Sequence, residues 1–195
     1  MTEQPPSSST TTPKAALPAW LALAPFTLFG VVAGFFAFGL TRDPHALPST
    51  MIDRAMPAFT LAPLEPDREA LANTDLLGKV SLVNVFGSWC SSCVLEHPQL
   101  LEIGKSGAVA LHGIDWRDKP GDGAAWLARY GDPYARTGLD ADSKLAIDLG
   151  VTGAPETFLI DRGGRIRFKQ VGPITPEVWN EVLLPIIRRL EAEPA

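Results

Sequence analysis

No charged residue occurs from position 15 to position 41, and residues 17–40 form an almost unbroken apolar run of Leu, Ala, Phe and Val. At ~1.5 Å per residue a helix of that length crosses a hydrocarbon core of ~30 Å, so the pattern predicts a transmembrane helix over 17–40. Pro25, Gly30, Gly34 and Gly39 would weaken a soluble helix but are commoner in membrane helices. A cleaved signal peptide has a shorter apolar region of ~7–15 residues, which favours an uncleaved anchor, although small residues near Ala46 leave a cleavage site open. Residues 1–16, rich in Ser, Thr and Pro, are expected as a disordered tail, and 41–55, with Pro44 and Pro48, as a linker.

From 56 to 191 the pattern changes to alternating short strands and helices. Phe59, Thr60 and Leu61 read as a short strand, 63–77 as an irregular excursion, and Gly78-Lys79 as a turn. Residues 80–86, Val-Ser-Leu-Val-Asn-Val-Phe, suit a central strand buried on both faces. A helix is expected over 94–103, interrupted by Pro98, then a buried strand over 108–114 and helices over 123–130 and 142–149. Residues 151–161 lead from loop into strand, and Gly163-Gly164 signals a hairpin turn. In the outer strand beyond it, Ile166 and Phe168 alternate with Arg165, Arg167 and Lys169. Trp179, Val182, Leu183, Ile186, Ile187 and Leu190 fall at helical spacing, so an amphipathic helix closes the domain. The order describes an α/β mixed sheet with helices on both faces, a thioredoxin-like arrangement.

A length of 195 residues allows one such domain plus appendages. The net charge of −5 and the absence of a Lys/Arg cluster give no surface for a phosphate backbone and exclude nucleic acid as a partner. Lys14 before the apolar run and Arg42 after it leave the membrane orientation undecided by charge.

The chain holds two cysteines, Cys90 and Cys93, at the end of the central apolar run. A bridge between them closes almost no loop, so its value lies in reactivity and not in stabilisation. Separated by two residues at the start of a helix, they suit thiol–disulfide exchange. Cys90 would face the unpaired N–H groups and positive dipole end of its helix, which lowers a thiol below its free pKa of ~8.5 and makes it the attacker. Cys93, one turn deeper, would resolve the mixed disulfide. Ser91 and Ser92 can aim hydroxyl donors at the Cys90 sulfur. Val94 after the pair excludes a Cys-x-x-Cys-His haem-attachment site. Zinc is a poor reading, because Cys90 and His97 lie two turns apart, ~10 Å along a helix, and the other histidines are His45 and His112. His97 alone reads as a surface or packing residue. No cofactor is expected. Pro155 at a strand entrance would cost a ladder donor and is a candidate for a cis Ala154–Pro155 bond, with an ordinary trans turn as the plainer reading. Glu96 and Glu156 flank the two candidate sites; each could be a solvated surface carboxylate or an acceptor for the Cys93 proton.

Three segments together carry a resemblance: 86–98, with Trp89-Cys90-Ser91-Ser92-Cys93-Val94-Leu95-Glu96-His97-Pro98; 113–118; and 150–161, with Gly153-Ala154-Pro155-Glu156-Thr157. Over residues 56–190, including Pro176-Glu177-Val178-Trp179, the chain resembles the membrane-anchored cytochrome c biogenesis thiol:disulfide interchange proteins of the CcmG/DsbE type. The resemblance implies a thioredoxin fold on the periplasmic side of the inner membrane, held by a single N-terminal helix. It implies a dedicated reductant that keeps the haem-binding cysteines of apocytochrome c reduced, directly or through another cytochrome c maturation protein. Electrons would come from a transmembrane thiol reductase. By motif position Cys90 matches the nucleophile, Cys93 the resolving cysteine, Pro155 the cis-proline, and Glu96 and Glu156 the acidic residues of the active site. Ser91 departs from the proline common at that position and puts the redox potential in question. A general periplasmic oxidant or isomerase, and a non-catalytic module that holds apocytochrome, are the competing readings; a peroxidase is weaker.

Overall fold

The computed structural model describes residues 19–40 and 51–193, with side chains described from 23 to 39 and from 51 to 193. The chain divides into two units whose boundary falls between Ala46 and Leu47. In the first, α1 (Ala19–Leu40) is a single helix of 22 residues that runs through Pro25. Its described side chains are exposed, Phe26, Phe29 and Phe35 by more than seven-tenths each. Among the described residues no helix is long and apolar enough to cross a membrane. The expected transmembrane span at 17–40 therefore stands on the sequence pattern, because residues 17 and 18 lie outside the described residues and side chains are described only from 23 to 39. The expected disordered tail also lies outside the described residues, as do residues 41–50 of the expected linker and His45 within it.

In the second unit, β1 (Thr60–Leu61) and β2 (Leu71–Ala72) form a small antiparallel pair followed by a 3₁₀ turn over Asn73–Leu76. Then come β3 (Ser81–Phe86), α2 (Ser91–Ser106), β4 (Ala110–Trp116), α3 (Asp122–Tyr130), β5 (Arg136–Asp140) and α4 (Lys144–Asp148). The hairpin β6 (Glu156–Ile160) and β7 (Ile166–Val171) follows, and a π-helical stretch Val178–Leu183 runs into α5 (Leu184–Ala192). The sheet order is β5-β4-β3-β6-β7, parallel from β5 to β3 and antiparallel from β3 to β7. The central strand is the apolar run expected from sequence, and every residue of it is buried. The mixed sheet with helices on both faces is as expected.

Strand alternation sorts the core into two layers. Leu82, Phe86, Leu111 and Leu159 face α2, α3 and α5, whereas Val83, Val85, Ile114, Phe158 and Ile160 face α4 and the β1–β2 side. The strand β5 was not read from sequence. It is short and carries Gly138, whose missing side chain admits β1: a Cβ there would lie 2.5 Å from the Leu61 Cβ. The expected excursion 63–77 also contains β2 and the 3₁₀ turn, too short to leave a periodic signal. Of the expected linker, 51–55 are bonded to the fold, with Asp53 N donating to Ile166 O at 2.7 Å and Ala55 bridging Arg165. The closing helix widens to π geometry just before Pro185, which has no N–H to give to the preceding turn and would crowd its carbonyl.

Candidate active site

Four residues link the end of β3 to the start of α2. Gly87 lets the chain fold back tightly: a Cβ there would meet the Trp89 indole Nε1 at 2.6 Å and the Trp116 carbonyl at 3.1 Å. Trp89 is half-exposed, donates through Nε1 to Trp116 O at 3.0 Å, and meets the Trp116 ring edge-on at 5.6 Å. Ser88 is held by Asp118, its N–H at 2.7 Å from Oδ2 and its hydroxyl donating to Oδ1 at 2.9 Å.

Cys90 is the N-cap of α2, and its Sγ accepts the Cys93 backbone N–H at 3.1 Å. A sulfur in that position receives one of the helix's otherwise unpaired donors and sits at its positive end. Cys90 and Cys93 are joined in a disulfide, Cys93 being the more buried at 1% exposure against 4%. Ser91 is exposed and Ser92 half-buried in the first turn. Among the described residues neither hydroxyl bonds the Cys90 sulfur; the donor is the Cys93 amide.

One turn beyond Cys93, Glu96 is 1% exposed. Its Oε1 accepts from Asn84 Nδ2 at 2.9 Å and its Oε2 from Ile174 N at 2.8 Å. Asn84 also donates to Thr157 Oγ1 at 2.9 Å and accepts the Tyr134 hydroxyl at 2.7 Å. Burial outweighs these donors and pushes the Glu96 carboxyl up to about 7. Burial likewise raises the Tyr134 phenol, with the Glu96 charge as a smaller cause. The polar signal for this network was Asn84 in the middle of an apolar strand; Tyr134 and Ile174 gave none.

The Ala154–Pro155 peptide is cis. Ala154 packs on the buried cluster that contains both cysteines, and Pro155 O accepts from Gly172 N at 3.0 Å. Glu156 lies elsewhere than Glu96. It pairs with Val85 and shares the sheet face of Phe158, opposite the face of Asn84 and α2. There its Oε1 accepts from Thr152 N at 3.0 Å and Thr152 Oγ1 at 2.5 Å. Lys169 Nζ lies 2.8 Å from Oε2 as a charge contact without hydrogen-bond alignment, donates to Gly150 O at 2.7 Å, and sits 5.3 Å over the Phe158 ring. The fold thus brings Cys90, Cys93 and Ala154 into one buried cluster, sets Glu96 one turn beyond Cys93 on the same side of the sheet, leaves Trp89 half-exposed against Trp116, and keeps the Glu156 carboxylate on the other side. His97 is a packing residue, buried with its ring 4.5 Å from Trp126 and Nε2 at 2.9 Å from Gly131 O.

The chain matches the Redoxin family model over residues 52–183. It is 44% identical over 170 residues to a thiol:disulfide interchange protein DsbE of Allochromatium vinosum, covering 87% of this chain and 94% of that one. It is 36% identical over 179 residues to the Escherichia coli thiol:disulfide interchange protein DsbE, covering 89% and 96%. Among solved structures, the thioredoxin domain of a thiol-disulfide oxidoreductase from Bacteroides vulgatus superposes with a TM-score of 0.59 at 21% identity, covering 71% and 97%. With a redox-active Cys90–Cys93 disulfide in a thioredoxin-like fold, the chain belongs to the redoxin family and, within it, to the DsbE-type thiol:disulfide interchange proteins, which are thiol-disulfide oxidoreductases.

Proposed function

We propose that this protein is a membrane-anchored periplasmic reductase that reduces the disulfide of apocytochrome c, directly or through a partner thiol protein, during cytochrome c maturation. The observation that carries the reading is the Cys90–Cys93 disulfide at the start of α2 with a buried carboxyl, Glu96, one helical turn past Cys93. The cytochrome c substrate rests on the family resemblance of the three motif segments.

In the working direction the Cys90 thiolate attacks one sulfur of the substrate disulfide and releases the other as a thiolate. Glu96, as carboxylate, takes the Cys93 proton. The Cys93 thiolate then attacks the Cys90 sulfur, freeing the second substrate sulfur and leaving the Cys90–Cys93 disulfide. Two electrons have passed to substrate, and a transmembrane thiol reductase restores them. Ala154 and Pro155 would receive the substrate backbone beside the disulfide, and the half-exposed Trp89 precedes Cys90 in the same loop. Glu156 acts by fixing the Thr152 end of that loop. Ser91 and Ser92, in the first turn of α2, tune the potential.

The apolar run at 17–40 and the exposed Phe26, Phe29 and Phe35 of α1 support an inner-membrane anchor, because so much apolar surface is costly in water. The redox domain is taken as 56–191, behind a tail over 1–16 and a linker over 41–55. Retention in membranes after alkaline carbonate washing supports the anchor; release into the soluble fraction overturns it.

Cys93→Ser traps the mixed disulfide through Cys90. Apocytochrome c or a maturation protein in the trapped set supports the assignment, and a set without either removes the substrate. Equilibration with glutathione separates a reductant from a general oxidant or isomerase, whose potential lies near the oxidising end. Cytochrome c assembly by a folded Cys90→Ser, Cys93→Ser chain would instead mark a binding module.

A further inference from the structure

The segment 113–118 has no part in the exchange scheme above, yet it brings a second buried carboxyl to the active-site loop. Asp115 is 1% exposed, and neither of its carboxyl oxygens has a hydrogen-bond donor. It stands opposite Phe86 in the β3–β4 register, at the strand end that runs into Gly87 and Cys90. Its place exists because Gly123 of α3 has no side chain; a Cβ there would overlap the Asp115 Oδ2.

Asp118 is 5% exposed and spends both oxygens on Ser88, accepting its N–H at 2.7 Å and its hydroxyl at 2.9 Å. Two residues earlier, Trp116 O accepts the Trp89 indole. The turn from β4 therefore holds the two residues before Cys90 at three points. Asp118, three residues on, is the charged neighbour that bears most on Asp115. Two ionised carboxylates have no proton to share, and a lone charge at the Asp115 position would be buried without a partner. The charges acting on Asp115 are those of Asp118 in the turn and Asp122 at the start of α3, both acidic; with burial as the first cause, they push its carboxyl up to about 9.

We propose that Asp115 and Asp118 are positioning residues for Cys90: the neutral acid of Asp115 donates its O–H to Asp118, and the Asp118 carboxylate so oriented holds Ser88, Trp89 and the first turn of α2. The pair carries one negative charge near the thiolate where two ionised groups would place two. It gives the Ser88 amide and hydroxyl a fixed acceptor on the path from β3 into the helix cap. The inference rests on Cys90 being the attacking thiol.

The test uses the full chain in detergent. The rate at which iodoacetamide alkylates the reduced protein is measured with mass mapping of the modified cysteine, alongside the equilibrium with glutathione. Asp118→Asn removes the charged acceptor and is expected to slow Cys90 alkylation about ten-fold, the size of one lost charge-assisted hydrogen bond, and to shift the glutathione equilibrium. Asp115→Leu, which keeps volume but offers no donor, is expected to do the same. Asp115→Asn, whose amide can donate to Asp118, is expected to restore most of the rate. Equal losses in Asp115→Asn and Asp115→Leu overturn the proton-donating role, and unchanged Cys90 reactivity in Asp118→Asn overturns the pair altogether. If Asp115→Leu does not fold, Asp115→Ala, which also offers no donor, takes its place; slower Cys90 alkylation than in Asp115→Asn supports the pair and a rate equal to that of Asp115→Asn overturns it. Alkylation of Cys93 first in the unmodified protein would instead sink the assignment of the attacking thiol.

Discussion

Asn84 Nδ2 donates to Glu96 Oε1 at 2.9 Å, joining the central strand to the helix that carries both cysteines. With Ile174 N on the other oxygen, the carboxyl is fixed on both sides and kept from water. Its pKa of about 7 makes it half-ionised near neutrality, where an acceptor for the Cys93 proton is most effective. Single-turnover reduction of a model disulfide should accelerate as pH rises through about 7. Glu96→Gln should lose that limb and fall by ~100-fold above it, the lower end for a positioned acid–base group. A pH profile of the variant parallel to that of the native chain would exclude Glu96 from proton transfer.

Glu96 has a stability consequence of definite sign. Its folded pKa is raised above the ordinary value of 4.5, so its contribution is complete below 4.5 and disappears as pH climbs through about 7. His112 acts in the opposite sense. Buried on β4 with neither ring nitrogen bonded, it is pushed down to about 4 by burial first and by the nearby Lys79 second. The native state then binds fewer protons than the unfolded chain between about 4 and 6.5. The His112 contribution is complete above 6.5 and declines as pH falls to about 4, by on the order of 3 kcal/mol. Because the two groups oppose one another, the difference between the native chain and His112→Gln isolates the histidine. Urea unfolding at both ends of that window should show the native chain losing more stability on acidification than the variant.

Lys169 and Glu156 are each almost fully buried in side chain, at 7% and 1%, and their charges meet at 2.8 Å. Removing one partner leaves the other charge buried without its counter-charge. Lys169→Met should therefore destabilise the protein by about 3 kcal/mol, and adding Glu156→Gln should recover part of that loss. Additive losses in the double-mutant cycle would show that the two side chains do not interact.

Gly138→Ala places a methyl 2.5 Å from the Leu61 Cβ and should unseat β1 from β5, at a cost of about 2 kcal/mol by thermal or denaturant unfolding. Gly150→Ala is a useful contrast, since its Cβ meets open space and only its φ of 61° resists the change.

Much of this protein was legible along the chain because the information was local. The apolar run 81–86, the hairpin at Gly163-Gly164, the closing amphipathic helix and the cysteine pair at a helix start each occupy one continuous stretch. Their physics of burial period, turn geometry and helix terminus acts over a few residues. The strand β5 escaped because its defining feature, Gly138, is explained only by a contact with Leu61, far earlier in the chain. The glutamates show the same limit. From sequence, Glu96 and Glu156 looked equivalent, each beside a functional candidate. The helix turns Glu96 inward to Asn84 and Ile174, while strand alternation sends Glu156 to the far face, to Lys169 and Thr152. What the sequence determined by itself was the redox pair, its place at a helix terminus, and the alternation of strands and helices around it. Only the tertiary structure decided which carboxyls are buried and what they face, because desolvation and hydrogen-bond partners come from segments distant in the chain.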